Sequence, residues 1–132
     1  YVRTEEFAVV SSPMEVKLDN PACDISLKLR ESGGDFTLRV FGTSVEVSQS
    51  KGTLSVGSCS SPLEFFDGQA DVRIISDVHA LEVYINSGKA YMCCAALADR
   101  GAPSLLISGD TSGVGLLAVS PLRSVQTPRV GL

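Results

Sequence analysis

Tryptophan is absent from this 132-residue chain, and only 6% of its residues are aromatic. Sugar-binding modules usually stack sugar rings on exposed aromatic side chains, so few residues could serve that purpose here. Most phenylalanines occupy positions of alternating segments that are predicted to face the core. Tyr84 and Tyr91 are therefore the aromatic residues available to stack on a sugar ring. A carbohydrate-binding module is therefore the weaker of the two candidate functions.

Long apolar runs and basic clusters are also missing. No stretch approaches the roughly 20 apolar residues of a membrane-spanning helix, and the first ten residues lack a signal-peptide core. The net charge is −4 without a Lys/Arg cluster, which argues against a nucleic-acid surface. We therefore expect neither a membrane nor a nucleic acid as partner. The chain starts at Tyr1 rather than at Met, which favours a piece of a longer protein.

The four cysteines and one histidine follow no metal or disulfide pattern. No C-x-x-C pair occurs, so neither a zinc site nor any other cofactor is expected. Adjacent cysteines in an extended run point to opposite faces, which does not suit a disulfide framework. We interpret the four as free thiols that behave as small hydrophobic residues, which favours a reducing, cytoplasmic location. They are Cys23, Cys59, Cys93 and Cys94.

Short alternating segments dominate the rest of the chain. Apolar and polar residues alternate, and turn signals such as Asn20-Pro21 separate the segments at spacings of about 8–12 residues. This pattern predicts a single all-β domain, an antiparallel two-sheet β-sandwich. We assign residues 1–12 to a linker and first strand, 13–124 to the sandwich and 125–132 to a tail. Besides a hairpin within residues 76–92, the predicted strands are 5–10, 14–19, 25–30, 36–41, 44–49, 53–57, 70–76, 104–108 and 115–122.

Two segments are predicted not to be strands. Residues 58–62 are rich in Ser, Cys and Pro and are expected to form a loop. Residues 93–100 could form a turn of helix that Gly101 and Pro103 would stop.

The stretch 76–92 raises the question of an active site. Asp77 and Glu82 could be the acid and nucleophile of a glycosidase, and His79 could be a general base. The favoured interpretation is structural, because Asp at a corner accepts backbone N–H groups and Glu on an alternating strand points away from the core. The glycine-rich segment 108–115 lacks the Lys-Ser/Thr of a phosphate-binding loop.

Residues 71–92, DVRIISDVHALEVYINSGKAYM, resemble the C-terminal β-sandwich of the invertase/levanase family, glycoside hydrolase family thirty-two. That domain's motif reads Asp-Arg-Ser-Ser-x-Glu-Val-Phe, followed by Asn-x-Gly. Asp77, the segment Glu82-Val83-Tyr84 and the turn Asn86-Ser87-Gly88 match it, whereas residues 78–80, Val-His-Ala, depart from it. With similar patterns upstream, the resemblance covers roughly residues 13–122.

The resemblance implies a module without an active site. In this family a five-bladed β-propeller carries the catalytic motifs Asn-Asp-Pro-Asn, Arg-Asp-Pro and Glu-Cys, and none of them occurs in this sequence. It implies an accessory domain of a sucrose- or fructan-hydrolysing enzyme that packs on the propeller, stabilises it and in some members supports oligomer formation. The motif residues Asp77, Glu82, Asn86 and Gly88 are then structural. The alternative is a module that binds fructan or another glycan.

The hairpin register decides which face is available for either function. A two-residue loop at Ser87-Gly88 suits the positive φ that Gly accepts in such turns, and it pairs Tyr84 with Tyr91. The apolar side chains of both strands then share the core face. The outer face carries Glu82, Tyr84 and Tyr91, and we regard it as a candidate for propeller docking or weak sugar contact.

Overall fold

A computed structural model describes residues 4–122. This part of the chain contains twelve strands and no helix, so no helix in it could cross a membrane. The predicted tail, residues 125–132, lies outside the described residues. The strands are β1 (Glu5–Phe7), β2 (Met14–Val16), β3 (Cys23–Arg30), β4 (Phe36–Val40), β5 (Thr43–Ser48), β6 (Thr53–Val56), β7 (Cys59–Pro62), β8 (Gln69–Ser76), β9 (Ala80–Ile85), β10 (Ala90–Ala95), β11 (Leu105–Gly109) and β12 (Val114–Pro121).

Two six-stranded antiparallel sheets face each other without closing into a barrel. Sheet A has the order β1-β12-β3-β8-β9-β10, and sheet B has the order β2-β11-β4-β5-β6-β7. The chain changes sheet several times, so that β4 to β7 lie in one sheet and β8 to β10 in the other. The predicted all-β sandwich is therefore confirmed.

The core lies between the sheets and follows from the alternation in sequence. In β3 and β8 every second side chain is buried while its neighbours are half-buried or exposed. Burying branched apolar side chains in this way stabilises the fold by roughly 1.5–3 kcal/mol each before entropy is counted. The largest fully buried side chains include Ile25, Leu27, Leu29, Leu38, Leu54, Ile74, Ile85, Leu105, Ile107 and Leu117.

The predicted loop at 58–62 is wrong. Residues Cys59–Pro62 form β7, which pairs with β6 across a turn where Gly57 has a φ of 58°. Because β7 is at the edge of sheet B, Pro62 can be accommodated without breaking an interior ladder.

The suggested turn of helix in residues 93–100 is also wrong. β10 continues to Ala95. Beyond it, the backbone N–H groups of Ala96 and Ala98 donate to the carbonyl oxygens of His79 and Val78, at 2.8 and 2.9 Å. Hydrogen bonds to the β8–β9 corner therefore pair the backbone N–H groups that a helix would have paired internally.

Two loops at one end of the sandwich touch at glycines. A Cβ atom on Gly33, before β4, would collide with the backbone of Gly113, and one on Gly113 would collide with Gly33 in turn. Only residues without a side chain allow this approach between the β3–β4 and β11–β12 connections.

Candidate functional site

The corner between β8 and β9 is organised by Asp77. Its Oδ1 accepts the backbone N–H groups of His79 at 2.8 Å and of Ala80 at 2.9 Å. The N–H of Asp77 donates to the carbonyl oxygen of Ala80 at 3.0 Å. The carboxylate thus holds a tight corner. His79 is exposed beside it.

The turn that follows β9 is held by Asn86. Its Oδ1 accepts the N–H of Asp71 at 3.0 Å, and its Nδ2 donates to the carbonyl oxygen of Glu64 at 2.8 Å. Asn86, Ser87 and Gly88 have φ values of 53°, 60° and 91°. Positive φ at Ser87 and Gly88 is the conformation of the tight hairpin turn expected from the sequence. The side chain of Asn86 adds a link to two other segments, which sequence reasoning missed.

The register of the β9–β10 hairpin is the predicted one. Tyr84 pairs with Tyr91, and Val83 pairs with Met92. Val83 is fully buried in the core, whereas the side chain of Tyr91 is 51% exposed. The outer face of sheet A therefore carries the polar and aromatic residues of this hairpin.

Glu82, Tyr84 and Tyr91 form a hydrogen-bonded group, here called the tyrosine cluster. The Tyr91 hydroxyl donates to Glu82 Oε2 at 3.1 Å, and the Tyr84 hydroxyl lies 3.4 Å from Oε1. The ring centroids are 5.0 Å apart and the rings are inclined by 48°, within the range of favourable aromatic contact.

The titration of both phenols reflects this arrangement. The hydrogen bond to Glu82, followed by desolvation, raises the pKa of Tyr91 to about 12. Desolvation, followed by the charge of Glu82, raises the pKa of Tyr84. Both hydroxyls therefore stay protonated near neutral pH, where they orient the rings by donating to one carboxylate.

A groove of about 480 Å³ crosses the same outer face next to the tyrosine cluster. We call it the outer groove. Its lining comes from four neighbouring strands of sheet A and the β9–β10 turn, and it includes Ser26, Lys28, Asp71, Arg73, Tyr84 and Leu116.

Two ion pairs cross from β3 to β8 at this groove. Arg73 donates from Nε to Asp24 Oδ1 at 3.0 Å and from Nη2 to Oδ2 at 2.6 Å. Lys28 Nζ lies 3.6 Å from Asp71 Oδ1. The hydrogen bonds to Asp24, then its charge, raise the pKa of Arg73. The first pair is the better fixed, since Asp24 is only 19% exposed at its side chain.

The cysteines of the described part form no disulfide. Cys23, Cys59, Cys93 and Cys94 are free, and Cys23 and Cys94 are buried. Burial is the main cause that raises the pKa of Cys23 and of Cys94 to about 11, so neither is a reactive thiolate at neutral pH. Within residues 4–122 no three His, Cys, Asp or Glu side chains come together as a metal site.

Comparison with solved structures identifies the fold. The sucrose-6-phosphate hydrolase of Lactobacillus gasseri is 12% identical, with a TM-score of 0.68 over 92% of this chain and 28% of that chain. A fructofuranosidase of Schwanniomyces occidentalis is also 12% identical, with a TM-score of 0.67 over 92% of this chain and 33% of that chain. This chain has the fold of one portion of the fructofuranosidases.

The fructofuranosidase-like sandwich spans only about a third or less of the length of those enzymes. The resemblance drawn from residues 71–92 is confirmed at the level of the fold. A galectin of Caenorhabditis elegans is 13% identical, with a TM-score of 0.56 over 88% of this chain and 94% of that chain. No protein-family model and no curated protein matches the sequence significantly.

Proposed function

We propose that this chain is a non-catalytic accessory domain of a β-fructofuranosidase-type glycoside hydrolase, packed against a catalytic β-propeller that hydrolyses sucrose or fructan. The observation that carries the proposal is the extent of the fold match. It covers 92% of this chain but only 28–33% of two such enzymes. A complete sandwich that corresponds to a fraction of an enzyme fits an accessory domain.

The local chemistry supports a non-catalytic role. A glycosidase needs two carboxyl groups that flank one scissile bond. Asp77 instead accepts two backbone N–H groups at a corner, and Glu82 accepts tyrosine hydroxyls on the outer face. Both carboxylates are engaged in holding local structure.

The tyrosine cluster is the proposed docking surface for the propeller. It lies on β9 and β10, at the edge of sheet A. Tyr91 and its neighbour Cys93 are exposed there. A tyrosine contributes a large apolar surface with a polar tip, a combination enriched at protein interfaces.

Hydrolysis by the chain alone is the first test. Purified chain is expected to release no fructose from sucrose, inulin or levan above a control without protein. Release that disappears in Asp77→Ala or Glu82→Ala would overturn the non-catalytic assignment.

Docking is tested in the longer protein. The reading frame upstream of Tyr1 is expected to encode a propeller, and the full-length protein can then be compared with its variants. Tyr91→Ala should lower the temperature at which the propeller unfolds or loses activity. Phe66→Ala is the matched control, because Phe66 is a similarly exposed aromatic, at 47%, outside the tyrosine cluster. Equal effects of both variants would argue against docking through this surface.

Carbohydrate binding is the second candidate function. The outer groove favours it, since a polar concavity with an aromatic wall suits a glycan better than a flat sheet does. The similarity to a galectin, a carbohydrate-binding fold, agrees with it. Affinity electrophoresis in gels that contain inulin or levan, with titration calorimetry for sucrose, tests this candidate.

A further inference from the structure

The outer groove is electrically balanced. Two cations, Lys28 and Arg73, line it, and each is paired across the strands with a carboxylate, Asp71 or Asp24. A phosphate or carboxylate ligand would gain attraction from the cations but would meet the repulsion of both aspartates. The balance therefore favours a neutral ligand with many hydroxyl groups.

The strongest hydrogen-bond donor in the groove, Arg73, is oriented before any ligand arrives. Arg73 uses Nε and Nη2 on Asp24, which leaves the protons of Nη1 for a ligand. Ser26 can donate and accept, Asp71 can accept, and Lys28 can donate. A sugar hydroxyl both donates and accepts, so alternating donors and acceptors along two strands match it. Fixing Arg73 in advance lowers the entropy cost of binding.

The groove also contains an apolar contact for a sugar ring. Tyr84 is half-buried at its wall, and Leu116 of β12 contributes from the other side. The contact with Tyr91 at 5.0 Å between centroids helps to fix the Tyr84 ring. A ring held in this way offers a flat surface to the C–H face of a pyranose or furanose.

We propose that the outer groove binds a neutral oligosaccharide, with Arg73 as the principal hydrogen-bond donor and Tyr84 as the platform for one sugar ring. The volume of about 480 Å³ lies within the range of roughly 300–1,000 Å³ that ligand pockets span. This inference rests on the second candidate function. It is an alternative to docking through the tyrosine cluster, because a propeller seated on that cluster would cover Tyr84.

The test is a titration of the 132-residue chain followed by amide chemical shifts. The probes are nystose as a fructan oligomer, lactose as a galactoside, and inorganic phosphate as an anion. We expect saturable shifts in β3, β8 and β9 with nystose or lactose. Arg73→Ala and Tyr84→Ala should each weaken binding at least about tenfold, because they remove a charged donor or the stacking surface. Arg39→Ala is the matched control, since Arg39 is exposed on β4 of the other sheet.

Each other outcome overturns the inference. The variants could bind sugar as tightly as the parent chain does, with sugar-induced amide shifts outside the outer groove. That result would place carbohydrate binding on another surface and leave the second candidate function intact. Saturable shifts with phosphate alone would make the groove an anion site. No shift with either sugar would reject both the groove and the carbohydrate-binding function, while the accessory role would still stand on its own test. Amide spectra of the free variants confirm that loss of binding is not loss of the fold.

Discussion

Replacing Val83 with alanine should destabilise the sandwich measurably. Val83 pairs with Ile74 on one side and Met92 on the other, and it is 0% exposed. Each of the two carbon atoms removed contributes about 0.8 kcal/mol of burial free energy. The cavity that remains increases this loss, and relaxation of the neighbouring side chains reduces it. We therefore expect the free energy of unfolding to fall by about 1–2.5 kcal/mol.

Urea denaturation followed by far-ultraviolet circular dichroism measures this change. Val9→Ala removes the same atoms from a side chain that is 84% exposed, so its effect should stay within about 0.5 kcal/mol. Equal shifts of the two denaturation midpoints, at an unchanged dependence on urea, would refute the placement of Val83 in the core. They would also refute the hairpin register on which the outer face depends.

Other perturbations test the corner, the acid response and the thiols. Asp77→Ala should lower the unfolding free energy by about 1 kcal/mol, measured by the same denaturation, because two backbone N–H groups lose their acceptor; no loss would contradict that role. Hydrogen bonds from Ser50 lower the pKa of Asp35 below its ordinary 3.8. The ionised Asp35 therefore stabilises the fold above pH 3.8, and this stabilisation is lost as the pH falls through the lower pKa of the folded state. Asp35→Asn should therefore flatten the fall in melting temperature between about pH 5 and 2, and an unchanged acid limb would contradict this. For the proposed reducing, cytoplasmic setting, thiol titration without reductant should count four free cysteines after unfolding, with Cys23 and Cys94 protected in the folded chain; two or fewer would contradict it.

The hairpin could be predicted from sequence because its two faces differ. Leu81, Val83 and Ile85 alternate with polar or amphipathic residues, so a slip by one residue would expose the whole apolar set. Ser87-Gly88 supplied the turn. The turn sequence and the alternation of apolar residues predict the same hairpin register, and the structure has that register.

β7 escaped prediction because its sequence carries no strand pattern. The residues Cys-Ser-Ser-Pro have low β-propensity, and only pairing with β6 makes them extended. This is a tertiary effect at a sheet edge, which a single segment cannot reveal.

The outer groove escaped prediction for a different reason. Arg73 and Asp24 are 49 residues apart in sequence, and their contact needs the pairing of β3 with β8. The sequence shows opposite charges at the outward-facing positions of both segments. It does not show which strands are neighbours in the sheet, because that depends on the tertiary fold.

The position of β12 has a consequence for how the domain is synthesised. β12 lies between β1 and β3 and pairs with both, although it is the last strand described. Until it leaves the ribosome, β3 has an unpaired edge and β1 has no partner in its sheet. Such long-range pairing slows folding and prolongs exposure of a strand that can join another chain. A nascent or truncated chain that stops before Val114 is therefore expected to aggregate, whereas the finished chain closes its own edge.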